Sequence, residues 1–160
     1  MSERAVRLAE ELEGANREVI AFAERCSVEE WHRITSAEQW QVGVVCRHIA
    51  RSLEVYPAII GRLVSGESPP GQYNWDDIHR SNAEQAKEWA DGGKDEAIRL
   101  LQTHGRDLAN TLRPLTDAQL DRASVSPLTG KELTTEQFAA GMIQHIRAHL
   151  DSARTTVASQ

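Results

Sequence analysis

Cysteine, lysine, proline and aromatic side chains are all scarce in this 160-residue chain. It has two cysteines, five prolines, ten glycines and eight aromatic residues. Two cysteines, Cys26 and Cys46, cannot build a disulfide framework, and neither belongs to a CxxC pair. They read as reduced, partly buried thiols acting as small hydrophobes. Fifteen glycines and prolines together exclude collagen-like and low-complexity classes. No apolar run approaches the ~20 residues that span a bilayer, so no membrane partner is expected. The opening MSERAVRLAEELEG is charged every few residues and has no apolar h-region, which argues against a signal peptide and for a cytoplasmic protein. Basic charge is also short: 18 Lys and Arg face 24 Asp and Glu, for a net charge of −6. A chain that neutralises phosphates needs a basic face, so no nucleic acid is expected as a partner.

What remains is helix-forming sequence in a length that suits one domain, read as 1–160. In a first segment Ala5, Ala9, Leu12, Asn16, Val19, Ala23 and Cys26 recur at spacings of three and four, with Glu and Arg opposite. Ser27-Val-Glu-Glu opens a one-turn helix carrying Trp31. Ser36, with Gln39 three residues on, has the spacing of a cap for the next helix. That second segment runs from Ala37 or Trp40 to Val64, with Pro57 inside it as a kink point. Gly66–Gly71 reads as a loop, followed by Gln72-Tyr73-Asn74-Trp75. A third stretch runs from Asp76 or Asp77 to Leu112 and bends or breaks at Gly92-Gly93. Its second half puts Ala97, Leu101, His104, Leu108 and Leu112 on one face. Arg122–Val125 and Lys131–Leu133 can pair as a small hairpin, and a fourth helix follows from Thr134 or Thr135 to Val157. The fold expected is all-α: an up-and-down four-helix bundle with a small hairpin or irregular segment before the last helix.

Of six histidines, one pair has ligand-like spacing. His145 and His149 form an HxxxH on the fourth helix, ~40° apart around its axis, so both imidazoles point the same way. With Phe138 at zero they fall at about −20° and 20°, on or beside the arc of Met142, Ile146 and Leu150. On the second helix His48 lies at ~80° from Trp40, inside an apolar arc of ~40° to ~200°. Buried imidazoles need partners for two nitrogens each. Three of them on two helices satisfy that need by sharing a divalent metal, a type of site built in bundle cores. The alternative is three hydrogen-bonded core histidines. His104 also faces inward but has no companion, and reads as such a core residue. HExxH, paired di-iron Glu-x-x-His, Gly-rich phosphate loops and GxSxG are absent. The four tryptophans read as core or rim packing, with Trp75 placed to wall a pocket.

The segment Glu38-Gln-Trp40-Gln-Val-Gly-Val-Val45-Cys-Arg-His48-Ile-Ala50 resembles the signature of the DinB-like (YfiT-like) metalloenzyme family, and Glu29-Glu-Trp31-His-Arg is similar to its usual lead-in. The order of elements matches over nearly the whole chain and ends in the HxxxH helix. The resemblance implies a bundle whose His48, His145 and His149 hold a divalent nickel, zinc, iron or manganese ion, commonly in a homodimer. It also implies a metal-dependent S-transferase joining a low-molecular-weight thiol, such as mycothiol, bacillithiol or glutathione, to a small electrophile. Metal-dependent hydrolysis and a non-catalytic metal-binding or stress-response bundle are the alternatives. Three neutral imidazoles would leave the full charge on the ion, which depresses the pKa of a bound water or thiol. Substrate contacts are expected from Tyr73, Asn74 and Trp75, with His79 and Arg80 as proton or anion handlers.

Overall fold

Side-chain caps set most of the helix starts in the computed structural model, which describes residues 1–70 and 73–159. Ser2 accepts from the backbone N–H groups of Arg4 and Ala5 and opens α1, Glu3–Arg25. Ser27 and Glu30 form a reciprocal capping box on the one-turn α2, Val28–Trp31. The long α3, Val42–Val64, runs without interruption through Pro57. Asn74 caps α4, Trp75–Glu88, and Gly93 precedes α5, Lys94–Leu112. Thr116 and Gln119 box the short α6, Asp117–Leu120. The strands β1, Ala123–Val125, and β2, Glu132–Thr134, pair antiparallel with Ser124 opposite Leu133. Thr134 then boxes with Gln137 to start α7, Thr135–Ala158.

The bundle, the glycine break and the hairpin are those expected from the sequence. The start of α3 is not. Gln39 adopts a left-handed φ of 60°, and its side-chain amide donates to Ser36 O at 2.9 Å. Residues 36–39 therefore form a turn, and Ser36 caps nothing. An antiparallel bridge between Ile34 and Gln41 closes this turn, and α3 begins only at Val42. Gly71 and Gln72, at the junction of the expected loop and the aromatic connection, lie outside the described residues.

Packing places α5 against both α1 and α3, and α7 against the same two helices. The order around the bundle is thus α1–α5–α3–α7. The sequence neighbours α1 and α3 lie across a diagonal, as do α5 and α7. Each of those links must cross an end of the bundle. Leu12, Val19, Ile49, Leu53, Ile60, Leu101, Leu108, Ile143 and Ile146 fill the centre. No helix among the described residues is long and apolar enough to cross a membrane.

Two close approaches fix helix spacing near the site. Asn16 on α1 donates to Leu101 O on α5 at 2.9 Å, and a Cβ on Gly105 would stand 2.0 Å from its amide nitrogen. Gly105 therefore takes the buried position on α5, while its neighbour His104 is only half-buried. His104 is not the core histidine that its place on the helical wheel suggests. Trp31 lies over Gly43, in the first turn of α3. Its indole Nε1 donates to Gly92 O at 3.0 Å.

A Cβ on Gly43 would meet that indole at 2.4 Å, whereas one on Gly61 of the same helix meets nothing within 4 Å. Gly43→Ala is expected to destabilise by about 1–3 kcal/mol through overpacking. Gly61→Ala is expected to stabilise by about 0.5–1 kcal/mol through helix propensity. Urea denaturation of both variants beside wild type checks the opposite signs.

Candidate metal centre

Adjacency of α3 and α7 brings His48 edge-on against His145 and His149. One ligand nitrogen from each lies within 4.8 Å of the other two. Ring centroids are 4.7 Å apart for His48 and His149, 5.5 Å for His48 and His145, and 4.5 Å within the HxxxH pair. His48 is 7% exposed, and Trp40 covers one side of it at 5.3 Å between centroids. Burial, reinforced by the neighbouring imidazoles, pushes the His48 pKa down to about 3. Burial and His149 push that of His145 down to about 4. Both rings are therefore neutral at pH 7, the form in which imidazole ligates a metal.

Glu38 completes the arrangement. Its Oε1 accepts from His149 Nδ1 at 2.8 Å, and its Oε2 accepts from Ser152 Oγ at 2.6 Å. The carboxylate is largely buried, which by itself raises its pKa. Hydrogen bonds from Ser152, Thr35 and His149 outweigh that and hold it below the ordinary glutamate value. An ionised Glu38 accepts at Nδ1 of His149, which leaves Nε2 as the nitrogen that can ligate a metal. This carboxylate–histidine brace is the usual support of a ligating imidazole. In the sequence Glu38 stands out only as part of a motif. It sits on a tight turn, where no helical period points to it; the one signal is its place two residues before Trp40.

The donor set suits a divalent transition metal: three imidazole nitrogens, one of them on a ring oriented by a carboxylate. Beside it opens a cavity of about 800 Å³. Tyr73, Trp75, His79 and Arg80 line this cavity with all three histidines. Asn74 is not among the lining residues. Its side chain caps α4, accepting from Asp77 N at 3.0 Å and donating to Asp77 Oδ2 at 2.7 Å. Arg80 is paired with Asp77. Tyr56 also lines the cavity, unanticipated from the sequence. Burial raises its phenol pKa, so it remains a proton donor at neutral pH. His32, outside the site, sits at the end of α2 with Nδ1 at 2.7 Å from Val28 O.

A profile of the DinB superfamily matches residues 11–153, and the chain belongs to that superfamily. Among solved structures, YfiT from Bacillus subtilis, described as a probable metal-dependent hydrolase with an unusual four-helix bundle topology, aligns with a TM-score of 0.75. The two share 18% sequence identity, and the alignment covers 98% of this chain and 87% of that one. At this identity the likeness establishes the fold. A search of curated protein sequences returns no match.

Two measurements follow from the histidine environment. Glu38→Gln is expected to weaken binding of zinc or nickel by about 10–100-fold while leaving the fold intact, as read by calorimetric titration and circular dichroism. The depressed histidine pKa values also fix a pH dependence. The unfolded chain takes up protons near pH 6.5, which the folded chain refuses until about pH 3 for His48 and about pH 4 for His145. Stability of metal-free protein therefore falls as pH drops through 6.5. Between pH 7 and 5 the loss is about 1–2 kcal/mol per histidine. Urea titrations at the two pH values should show this loss in wild type and a smaller one in His48→Leu.

Proposed function

We propose that this protein is a metal-dependent enzyme in which His48, His145 and His149 hold one divalent transition-metal ion. Its proposed reaction joins a low-molecular-weight thiol to a small electrophile. The observation that carries the metal reading is the three-histidine cluster braced by ionised Glu38. A divalent ion there would act as a Lewis acid and lower the pKa of a coordinated thiol or water. The protein's own groups supply the rest. Glu38 accepts at Nδ1 of His149, burial keeps His48 and His145 uncharged, and Trp40 shields one side of the cluster. Tyr56 presents a protonated phenol to the cavity.

The cavity volume accommodates the two-substrate reading. About 800 Å³ lies in the upper part of the range for small-molecule sites and has room for a thiol and an electrophile together. Hydrolysis is the second reading. It is supported by the printed description of YfiT, whose fold this chain shares, and needs only water beside the substrate.

Mass spectrometry of protein incubated with nickel, zinc or manganese tests the first claim. Wild type is expected to retain one equivalent, and His48→Ala and His149→Ala none. A wild type without metal returns the three residues to ordinary core histidines. Loaded enzyme is then assayed with 1-chloro-2,4-dinitrobenzene plus a thiol, and with p-nitrophenyl acetate alone. Metal- and thiol-dependent turnover of the first is expected; turnover of only the second would replace transfer with hydrolysis.

A further inference from the structure

Half of the chain's eight aromatic residues, Tyr56, Tyr73, Trp75 and Phe138, line the cavity beside the histidine cluster. They arrive from different elements. Tyr56 comes from α3, Phe138 from α7, Trp75 from the start of α4, and Tyr73 from the residues before it. Tyr73 and Phe138 stand with ring centroids 5.9 Å apart. Trp75 is 51% exposed, a large apolar side chain left at the mouth. Its position is nevertheless fixed, because its indole Nε1 donates to Leu128 O at 3.1 Å in the hairpin turn. The His79 ring lies beside it at 5.5 Å, inclined by 32°. An exposed indole held by a hydrogen bond next to a second flat ring makes a preformed platform.

The charges around this cavity are already matched. Four charged side chains line it: Arg51, Asp77, Arg80 and Glu84. Arg80 is paired with Asp77, and Arg51 with Glu54 at 2.6 Å, each within its own helix. Both guanidiniums have a carboxylate partner, and the Asp, Glu and Arg side chains of the lining sum to zero formal charge.

We infer that the cavity selects an uncharged compound with a flat, apolar, aromatic body, which lies between the Trp75–His79 platform and the Tyr73–Phe138 pair with its reactive end toward the histidines. As the electrophile class of the proposed reaction, this rests on the metal-centre reading. Occupancy of the aromatic end does not require the metal, so the two fail separately.

Two fluorescent probes with one anilinonaphthalene body test the claim: neutral N-phenyl-1-naphthylamine and its sulfonate, 8-anilinonaphthalene-1-sulfonate. The neutral probe is expected to bind at least tenfold more tightly, equally well with and without EDTA. Trp75→Ala should weaken it about tenfold, with an unchanged urea midpoint because the side chain is half-exposed. Asp77→Asn, which releases Arg80, should tighten the sulfonate several-fold and leave the neutral probe unchanged. Equal or tighter binding of the sulfonate by wild type, no binding of either probe, or indifference to Trp75→Ala would each overturn the proposal. Loss of metal binding with probe selectivity retained would overturn the metal centre and leave the cavity's preference standing.

Discussion

Three imidazoles buried side by side cannot all carry charge, and the architecture of the site answers that constraint. Desolvation favours the neutral form of each ring, and each neighbouring imidazole raises the cost of protonating the next. His48 and His145 accordingly have strongly depressed pKa values. Neutral rings still need hydrogen-bond partners or a cation for their lone pairs. One carboxylate meets part of that demand: Glu38 binds His149 on one oxygen and Ser152 on the other. A second buried carboxylate would favour imidazolium; a single one held by several donors orients a ring. The cluster is thus prepared for a cation by exclusion of protons as much as by geometry.

The path of the chain explains why this cluster forms where it does. Diagonal placement of α1 against α3, and of α5 against α7, makes α3 and α7 direct neighbours. The same placement demands connections that cross the bundle ends, and those connections contribute to the site. The link from α1 to α3 carries Glu38 in its turn. The link from α5 to α7 carries Leu128, whose carbonyl fixes Trp75. Helices provide the three imidazoles, and the irregular links provide the brace and the mouth. Function concentrating in such segments on a rigid scaffold is a general pattern; here the topology itself makes the segments necessary.

How much of this the sequence discloses depends on whether a residue's role follows a period. His145 and His149 lie one helical turn apart and His48 lies within an apolar arc, so their convergence is legible from angles alone. The break at Gly92-Gly93 and the hairpin are legible from turn chemistry. Glu38 is not, because its reach to His149 depends on a left-handed residue at Gln39 that neither period nor capping pattern anticipates. His104 misleads for a related reason. The wheel sets His104 and Gly105 on opposite edges of one apolar arc, and the close approach of Asn16 selects Gly105 for the interface. Asn74 reads as a substrate contact by its place in an aromatic connection, yet its side chain is engaged as a helix cap. For His104 a tertiary contact decides, whereas for Glu38 and Asn74 the local backbone and capping geometry does.

The cavity joins two chemistries through one row of α3. His48, Ser52 and Tyr56 are spaced four residues apart, so they follow one another along a single face, and all three line the cavity. Ser52 donates back to His48 O at 3.1 Å, and its hydroxyl is also hydrogen-bonded to the Tyr56 phenol. The row therefore passes from a candidate ligand imidazole, through a serine tied to both of its neighbours, to a protonated phenol at the aromatic end. A ligand lying along it would meet an imidazole at one end and the phenol at the other. That ordering favours one orientation of an elongated, uncharged molecule, and it does so with residues whose positions are set by a single helix.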